Sequence, residues 1–118
     1  MENELYKEHV LHHYRNPRHK YALMGADIVG KEVNALCGDD ITIYAHVGDD
    51  GIIAAMSFMG EGCAISQAAA SLLTEHAKGK HVEEIQYMTQ KDIEQLLGIT
   101  LSVVRARCAL LPVRALQK

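Results

Sequence analysis

The sequence predicts an α+β domain in which a three-stranded antiparallel sheet packs against helices in two layers. Three observations support this prediction. Apolar and polar residues alternate with period two between residues 41 and 47, which is typical of a half-buried strand. The apolar spacing changes to that of a helix after residues 60–62, which read Gly-Glu-Gly. A helix-like segment opens the chain, so the predicted order is helix, strands, then helices.

The first half of the chain predicts one helix and a β-meander. Apolar residues at helical spacing predict a helix over residues 3–15, which the dipeptide Asn16-Pro17 ends. Strands are predicted over residues 28–35, 41–47 and 52–59. Residues 48–51, Gly-Asp-Asp-Gly, form the hairpin turn between the last two, because Gly and Asp tolerate the positive φ that such turns require.

The second half predicts helices only. They are expected over residues 64–78, 82–87, 89–97 and 102–117. Gly79 and Gly98 end two of them, and a capping box begins at Thr89. Pro112 is expected to bend or interrupt the last helix. The first of these helices is predicted to bury one face, formed by Ile65, Ala68, Ala69, Leu72 and His76.

Length and composition restrict the class of protein. A chain of 118 residues, 48% hydrophobic and 23% charged, predicts one globular domain over residues 1–118 and excludes wholesale disorder. A net charge of −3 and the absence of Trp argue against a nucleic-acid binder. No apolar run approaches the ~18 residues of a bilayer span. The charged N-terminus lacks a signal-peptide pattern, so we expect a cytoplasmic protein with reduced thiols and no membrane partner.

The three cysteines and one aspartate are candidate metal ligands. Cys37 and Asp39 lie two residues apart in the connection between the first two strands, where both side chains can reach the same side. Cys63 stands at the start of a predicted helix, where the dipole and free N–H groups favour a thiolate. Cys108 lies beside Arg105 and Arg107, whose charges also favour a thiolate. The alternatives are that the cysteines are small buried residues and that Asp39 only caps a turn.

These four residues predict a pocket with three thiolates and one carboxylate, if they converge at one end of the sheet. Thiolates suit zinc, iron and iron–sulfur clusters, and they disfavour Mg²⁺ or Ca²⁺. One oxygen ligand among sulfurs should hold a cluster less firmly than four thiolates, which favours delivery over storage. A plain structural zinc domain is a weaker alternative, since it needs neither the Asp nor the adjacent arginines. A Cys–His hydrolase is weaker again, because the histidines, including His13 and His76, show no nucleophile motif.

The residues resemble a known family over essentially the whole chain: the iron–sulfur cluster assembly scaffolds of the IscU, SufU and NifU N-terminal type. The matching segments are residues 13–18 (HYRNPR), 34–39 (NALCGD), 60–66 (GEGCAIS) and 107–109 (RCA). The resemblance implies that Cys37, Cys63 and Cys108 are the thiolates that bind a [2Fe–2S] cluster, iron or Zn²⁺. It implies that Asp39 is the fourth ligand or controls the lability of the cluster.

The resemblance also implies partners. In these families a pyridoxal-phosphate-dependent cysteine desulfurase supplies persulfide sulfur, and the finished cluster passes to acceptor Fe–S apoproteins. Cys108 is our first candidate for the persulfide acceptor, because it lies in a basic terminal segment with no acidic residue after Glu94. Cys37 is the candidate for passing sulfur on in a SufU-like protein.

Three departures from the family patterns bear on which branch the chain resembles. The IscU branch has His before its last cysteine, where this chain has Arg107, which cannot ligate a metal. The Leu-Pro-Pro-Val-Lys chaperone segment of IscU is replaced by Leu-Ser-Val-Val-Arg at residues 101–105, so we do not expect the Isc-type Hsp70 chaperone as a partner. SufU has a basic residue before this cysteine, but it carries an insertion of roughly twenty residues that the 63–108 spacing cannot hold. The hypotheses are a non-enzymatic scaffold and, alternatively, a zinc-dependent sulfurtransferase.

Overall fold

The computed structural model describes residues 2–35 and 38–117, with side chains from residue 8 onward. Its elements are α1 Glu2–Arg15, β1 Ile28–Asn34, β2 Asp39–Val47, β3 Ile53–Met59, α2 Ala64–Ala77, α3 Val82–Gln86, α4 Gln90–Leu97, α5 Val103–Ala109 and α6 Leu111–Leu116. This order confirms the predicted α+β class, with a helix first, then three strands, then helices. Among the described residues, no helix combines the length and the apolarity needed to cross a membrane.

The sheet is the predicted antiparallel meander, with β2 between β1 and β3. The hairpin turn after β2 is also confirmed, with Gly51 at a φ of 82°. However, β2 begins two residues earlier than predicted. Asp39 pairs with Asn34, and the Asp40 N–H donates to the Glu61 carbonyl at 2.8 Å, so backbone pairing extends the strand into polar residues. The alternative in which Asp39 is only a turn residue is therefore wrong.

Helix α2 is the centre of the helical layer. It is buried on nearly all sides rather than on one face, because it packs on β3 and also contacts α1, α4, α5 and α6. Its small residues permit this close packing. The predicted buried face was only partly correct. Of its five residues, Ala68 and Ala69 are buried, but Ile65, Leu72 and His76 are only partly buried. The buried positions of α2 are Ser66, Gln67, Ala68, Ala69, Ala70, Ser71, Leu73, Thr74 and Ala77.

Helix α1 is held against α2 through His13. The His13 Nδ1 atom lies 3.0 Å from the Ser71 hydroxyl, which also accepts the Arg18 N–H at 2.8 Å. The side chain is buried, and desolvation, followed by the charge of nearby His9, lowers the pKa of His13. His13 is therefore a packing residue in the structure, which agrees with the expectation that it is not a metal ligand.

The C-terminal helices follow their capping signals. The capping box at Thr89 opens α4, and Gly98 ends it in the left-handed conformation at a φ of 74°. The segment predicted as one helix over residues 102–117 is two helices, α5 and α6, and Pro112 lies in the first turn of α6. Helix α6 covers the inner face of β1 and β2. Its position places α5 beside the end of the sheet at which β2 begins.

Candidate metal centre

Three of the four predicted ligands meet at one place. Asp39 is the first residue of β2, Cys63 is the N-cap of α2, and Cys108 lies near the end of α5. One donor atom from each of the three lies within 4.8 Å of the donor atoms of the other two. Cys37, the fourth predicted ligand, lies outside the described residues. The predicted convergence therefore holds for every candidate that the structure describes.

The donor spacing suits a common ion after a small contraction. Two sulfurs bound to one tetrahedral zinc at Zn–S distances of about 2.3 Å lie about 3.8 Å apart, so the donors need to close by ~1 Å at most. Two thiols and a carboxylate form a mixed sulfur and oxygen set that fits zinc, iron or an iron–sulfur unit.

The Asp39 carboxylate has one oxygen that finds no partner among the described residues. Asp39 is 2% exposed, and its Oδ1 accepts the Cys63 backbone N–H at 3.2 Å. Its Oδ2 is buried and accepts no hydrogen bond from the described part of the chain. Burying a carboxylate oxygen without a hydrogen-bond partner costs free energy, and a bound cation would offset that cost. This orphaned oxygen is the atom that Asp39 has available for a ligand.

The two described thiols differ in access. Cys63 is exposed to solvent, with its Sγ 3.8 Å from the Ser66 hydroxyl. Cys108 is only 4% exposed, and the Asn34 side-chain amide lies 3.9 Å from its Sγ. One side of the site is therefore open to an incoming partner, while the other is enclosed by α5 and the end of β1.

Positive charge flanks the site on two sides. Arg105 lines a groove of about 580 Å³ together with Cys63, Val10 and Ile99. Arg107 lines a separate depression of about 380 Å³ with Asn34 and Arg114. The two arginines that neighbour Cys108 in sequence thus face different depressions, rather than one common surface around that thiol.

Sequence reasoning did not identify the residues that support the candidate ligands. Ser66 and Gln67 lie three and four residues after Cys63, one helical turn away, and this spacing was the signal that could have found them. The Ser66 hydroxyl donates to the Cys63 carbonyl at 3.1 Å. A Cβ atom at Gly62 would lie 2.5 Å from the Ser66 Oγ and 2.8 Å from the Asp39 Cγ. A side chain at position 62 is therefore incompatible with the observed approach of β2 to α2.

Gly62→Ala is expected to lower the affinity of the site for Zn²⁺ about tenfold and to destabilise the fold by about 1–3 kcal/mol, because the added methyl pushes Asp39 away from Cys63. Competition against a chromophoric chelator and urea unfolding measure the two effects. Gly79→Ala is the control: its φ is +86° with no atom near the added Cβ, so it should lose stability but keep the zinc affinity. Equal zinc affinity in the Gly62→Ala variant and the wild type would contradict this role.

Comparison with known proteins identifies the family. The model of the NifU-like N-terminal domain matches residues 5–118. The zinc-dependent sulfurtransferase SufU of Bacillus subtilis is 34% identical over 97% of this chain and 88% of its own. The iron–sulfur cluster assembly scaffold protein IscU 1 of Archaeoglobus fulgidus is 37% identical over 97% of this chain and 73% of its own. These similarities support the predicted resemblance to both branches.

The alignment lengths distinguish the two relatives. The alignment with SufU spans 131 positions, 13 more than this chain has residues, whereas the alignment with the archaeal IscU spans 114. A crystal structure from Fervidobacterium islandicum AW-1, described as a candidate cluster assembly scaffold of the SUF system, has a TM-score of 0.75 at 26% identity, covering 93% of this chain and 92% of that one. The chain therefore belongs to the NifU-like N-terminal domain family, with the family's fold and with three of the predicted ligands brought together.

Proposed function

We propose that this protein is a non-enzymatic scaffold that assembles a labile [2Fe–2S] cluster on Cys37, Asp39, Cys63 and Cys108. A pyridoxal-phosphate-dependent cysteine desulfurase supplies the sulfur, and acceptor Fe–S apoproteins receive the cluster. The observation that carries this proposal is the convergence of the Asp39, Cys63 and Cys108 donor atoms within 4.8 Å. The similarity to IscU proteins of several organisms supports it.

Sulfur arrives by thiol–persulfide exchange. A thiolate of the scaffold attacks the terminal sulfur of the desulfurase persulfide, the S–S bond breaks, and the desulfurase thiolate leaves. The transferred sulfur then takes up two electrons from an external reductant to become bridging sulfide, while Fe ions bind the thiolates. Cys108 remains our proposed first acceptor. Because it is only 4% exposed, the exchange requires α5 to shift when the desulfurase docks.

The second candidate is a zinc-dependent sulfurtransferase that uses the same four residues. Arg107 favours it, since a basic residue precedes the last cysteine of SufU-like proteins, and B. subtilis SufU is 34% identical to this chain. Zn²⁺ would be held by the three thiolates and Asp39, with one thiolate, Cys37 in our proposal, released to accept and pass on sulfur. The absence of the SufU insertion from this chain favours the scaffold.

Metal analysis followed by reconstitution separates the two candidates. The protein is purified without added iron, analysed for zinc and iron, and then incubated anaerobically with iron, cysteine, a reductant and the desulfurase. We expect a brown protein with [2Fe–2S] absorbance and an assembled cluster that moves to an apo-acceptor. A colourless protein that keeps one zinc ion per chain and still accelerates the desulfurase would instead support the sulfurtransferase.

The arginines beside the site provide a test of partner docking. Reversing the charge in Arg105→Glu and Arg107→Glu together is expected to lower stimulation of the desulfurase about tenfold at low salt, because both are exposed and flank the site. The readout is the rate of sulfide release against scaffold concentration. The paired reversal of exposed Lys78 and Lys91, which changes net charge equally, should have little effect. Unaltered stimulation of the desulfurase would show that the two arginines are solvated surface residues with no part in docking.

A further inference from the structure

The Gln67 side chain bridges two parts of the chain beside the site. Gln67 is 3% exposed; its Oε1 accepts from the Lys20 ammonium at 3.0 Å and its Nε2 donates to the Gly60 carbonyl at 3.3 Å. The orientation of the amide is fixed, since an ammonium group can only donate and a carbonyl oxygen can only accept. The amide makes both contacts at once, which neither a carboxylate nor an alkyl side chain of similar length can do.

The carbonyl that Gln67 holds belongs to the loop of residues 60–62 that leads into Cys63. On its other side this loop is bound to β2: Asp40 N–H donates to the Glu61 carbonyl at 2.8 Å, and Glu61 N–H donates to the Asp40 carboxylate at 3.3 Å. The loop is therefore held from two directions. Because Cys63 directly follows this loop, the position of the loop determines the distance between Cys63 and Asp39. The Cys63 backbone N–H donates to the Asp39 Oδ1 at 3.2 Å.

Lys20 is brought to Gln67 by an unusual backbone turn. His19 has a φ of 58°, a left-handed conformation that non-glycine residues adopt infrequently. The His19 carbonyl accepts the Phe58 N–H at 3.0 Å, and Lys20 forms a parallel bridge to Phe58. The Lys20 ammonium lies 6.0 Å from the centre of the Phe58 ring. The edge of β3 thus fixes the lysine that orients the Gln67 amide.

We propose that Lys20 and Gln67 are positioning residues for the site, an inference that rests on the proposed binding of a metal or cluster there. Neither is among the ligands. Lys20 orients the amide, the amide holds the Gly60 carbonyl, and the loop then keeps Cys63 within reach of Asp39. Replacing a residue that hydrogen-bonds directly to a metal ligand typically changes metal affinity about 10–100-fold, and we expect an effect of that order here because the loop leads directly into Cys63.

The test is zinc affinity, measured by chelator competition on the full chain. Gln67→Leu should weaken zinc binding about 10–100-fold. Gln86→Leu is the matched control, because it removes an equivalent glutamine-to-carbonyl bond, from Gln86 Nε2 to the Leu116 carbonyl, on a different helix. Both variants should lose similar thermal stability without metal, but only Gln67→Leu should lose affinity. The Co²⁺ complex of Gln67→Leu should also show altered thiolate-to-metal charge-transfer bands.

Two further variants separate the bridge from charge or packing alone. Gln67→Glu keeps a partner for Lys20 but presents a carboxylate to the Gly60 carbonyl, so it should lose affinity as Gln67→Leu does. Lys20→Met should weaken binding less. Combined with Gln67→Leu it should add nothing, because both act through one amide.

The outcomes distinguish this inference from the proposed function. Wild-type protein that binds neither zinc nor cobalt through these residues overturns the proposed function and the inference together. Wild-type binding with equal affinity in Gln67→Leu and Gln86→Leu overturns only the positioning role. If Gln67→Leu does not fold, as judged by circular dichroism, Gln67→Glu and Lys20→Met decide, and unchanged affinity in both overturns the positioning role.

Discussion

Cys108→Ser is expected to lose zinc affinity by on the order of 100-fold or more, which is the largest effect that we predict for a single substitution. Structural zinc sites contribute about 10–16 kcal/mol over four ligands, so one soft ligand accounts for several kcal/mol. A serine hydroxyl stays protonated at neutral pH and replaces a thiolate poorly. Because Cys108 is buried in α5 and serine has nearly the same shape, the fold should persist.

The measurement is competition with a chromophoric chelator, with circular dichroism to verify the fold. Ala109→Ser is the matched control, since it adds a hydroxyl to the next buried position of the same helix without touching a ligand. It should leave zinc affinity unchanged. A Cys108→Ser variant that binds zinc as tightly as the wild type would remove Cys108 from the site.

Asp39→Ala is expected to lengthen the lifetime of an assembled cluster, by about tenfold or more, which corresponds to about 1.4 kcal/mol in the barrier to loss. In the proposed cluster the carboxylate is the one hard donor among thiolates, so we expect it to exchange most readily and to open an iron position to an acceptor. Its Oδ2 has no hydrogen-bond partner within the described ranges, so no such bond restrains that atom.

Cluster lifetime is followed by the decay of visible absorbance after an apo-acceptor or a chelator is added. Asp27→Ala is the matched control, because that carboxylate also accepts a backbone N–H, from Val47 at the far end of β2, and is not one of the three converging donors. Its cluster should decay as in the wild type. An Asp39→Ala cluster with wild-type decay would show that Asp39 does not control release.

The fold was predictable where local signals and tertiary packing agree. Alternation between residues 41 and 47, the hairpin turn and the Thr89 capping box each specify one local structure, and each is confirmed. The burial of α2 was not predictable from its own pattern. Its small residues, such as Ala70 and Ser71, are compatible with a half-exposed helix, and only the arrangement of the neighbouring strands and helices buries them.

The candidate site was predictable in part. The candidate ligands followed from thiol chemistry and the family resemblance, and the structure brings Asp39, Cys63 and Cys108 together. The early start of β2 was missed, because pairing with Asn34 on one side and Glu61 on the other outweighs the missing apolar alternation. The Lys20 to Gln67 contact joins residues 47 apart through a strained turn, and no local pattern reports such a pairing.

The most direct test of the central claim is X-ray absorption at the zinc edge of the protein loaded with one Zn²⁺ per chain. The claim is that Asp39, Cys63 and Cys108 bind the same metal ion or cluster, with Cys37 as the proposed fourth ligand. We expect zinc to be coordinated by three sulfurs at about 2.3 Å and one oxygen at about 2.0–2.2 Å, with one sulfur lost in Cys63→Ser. A shell of histidine nitrogens, or one with fewer than two sulfurs, would contradict it.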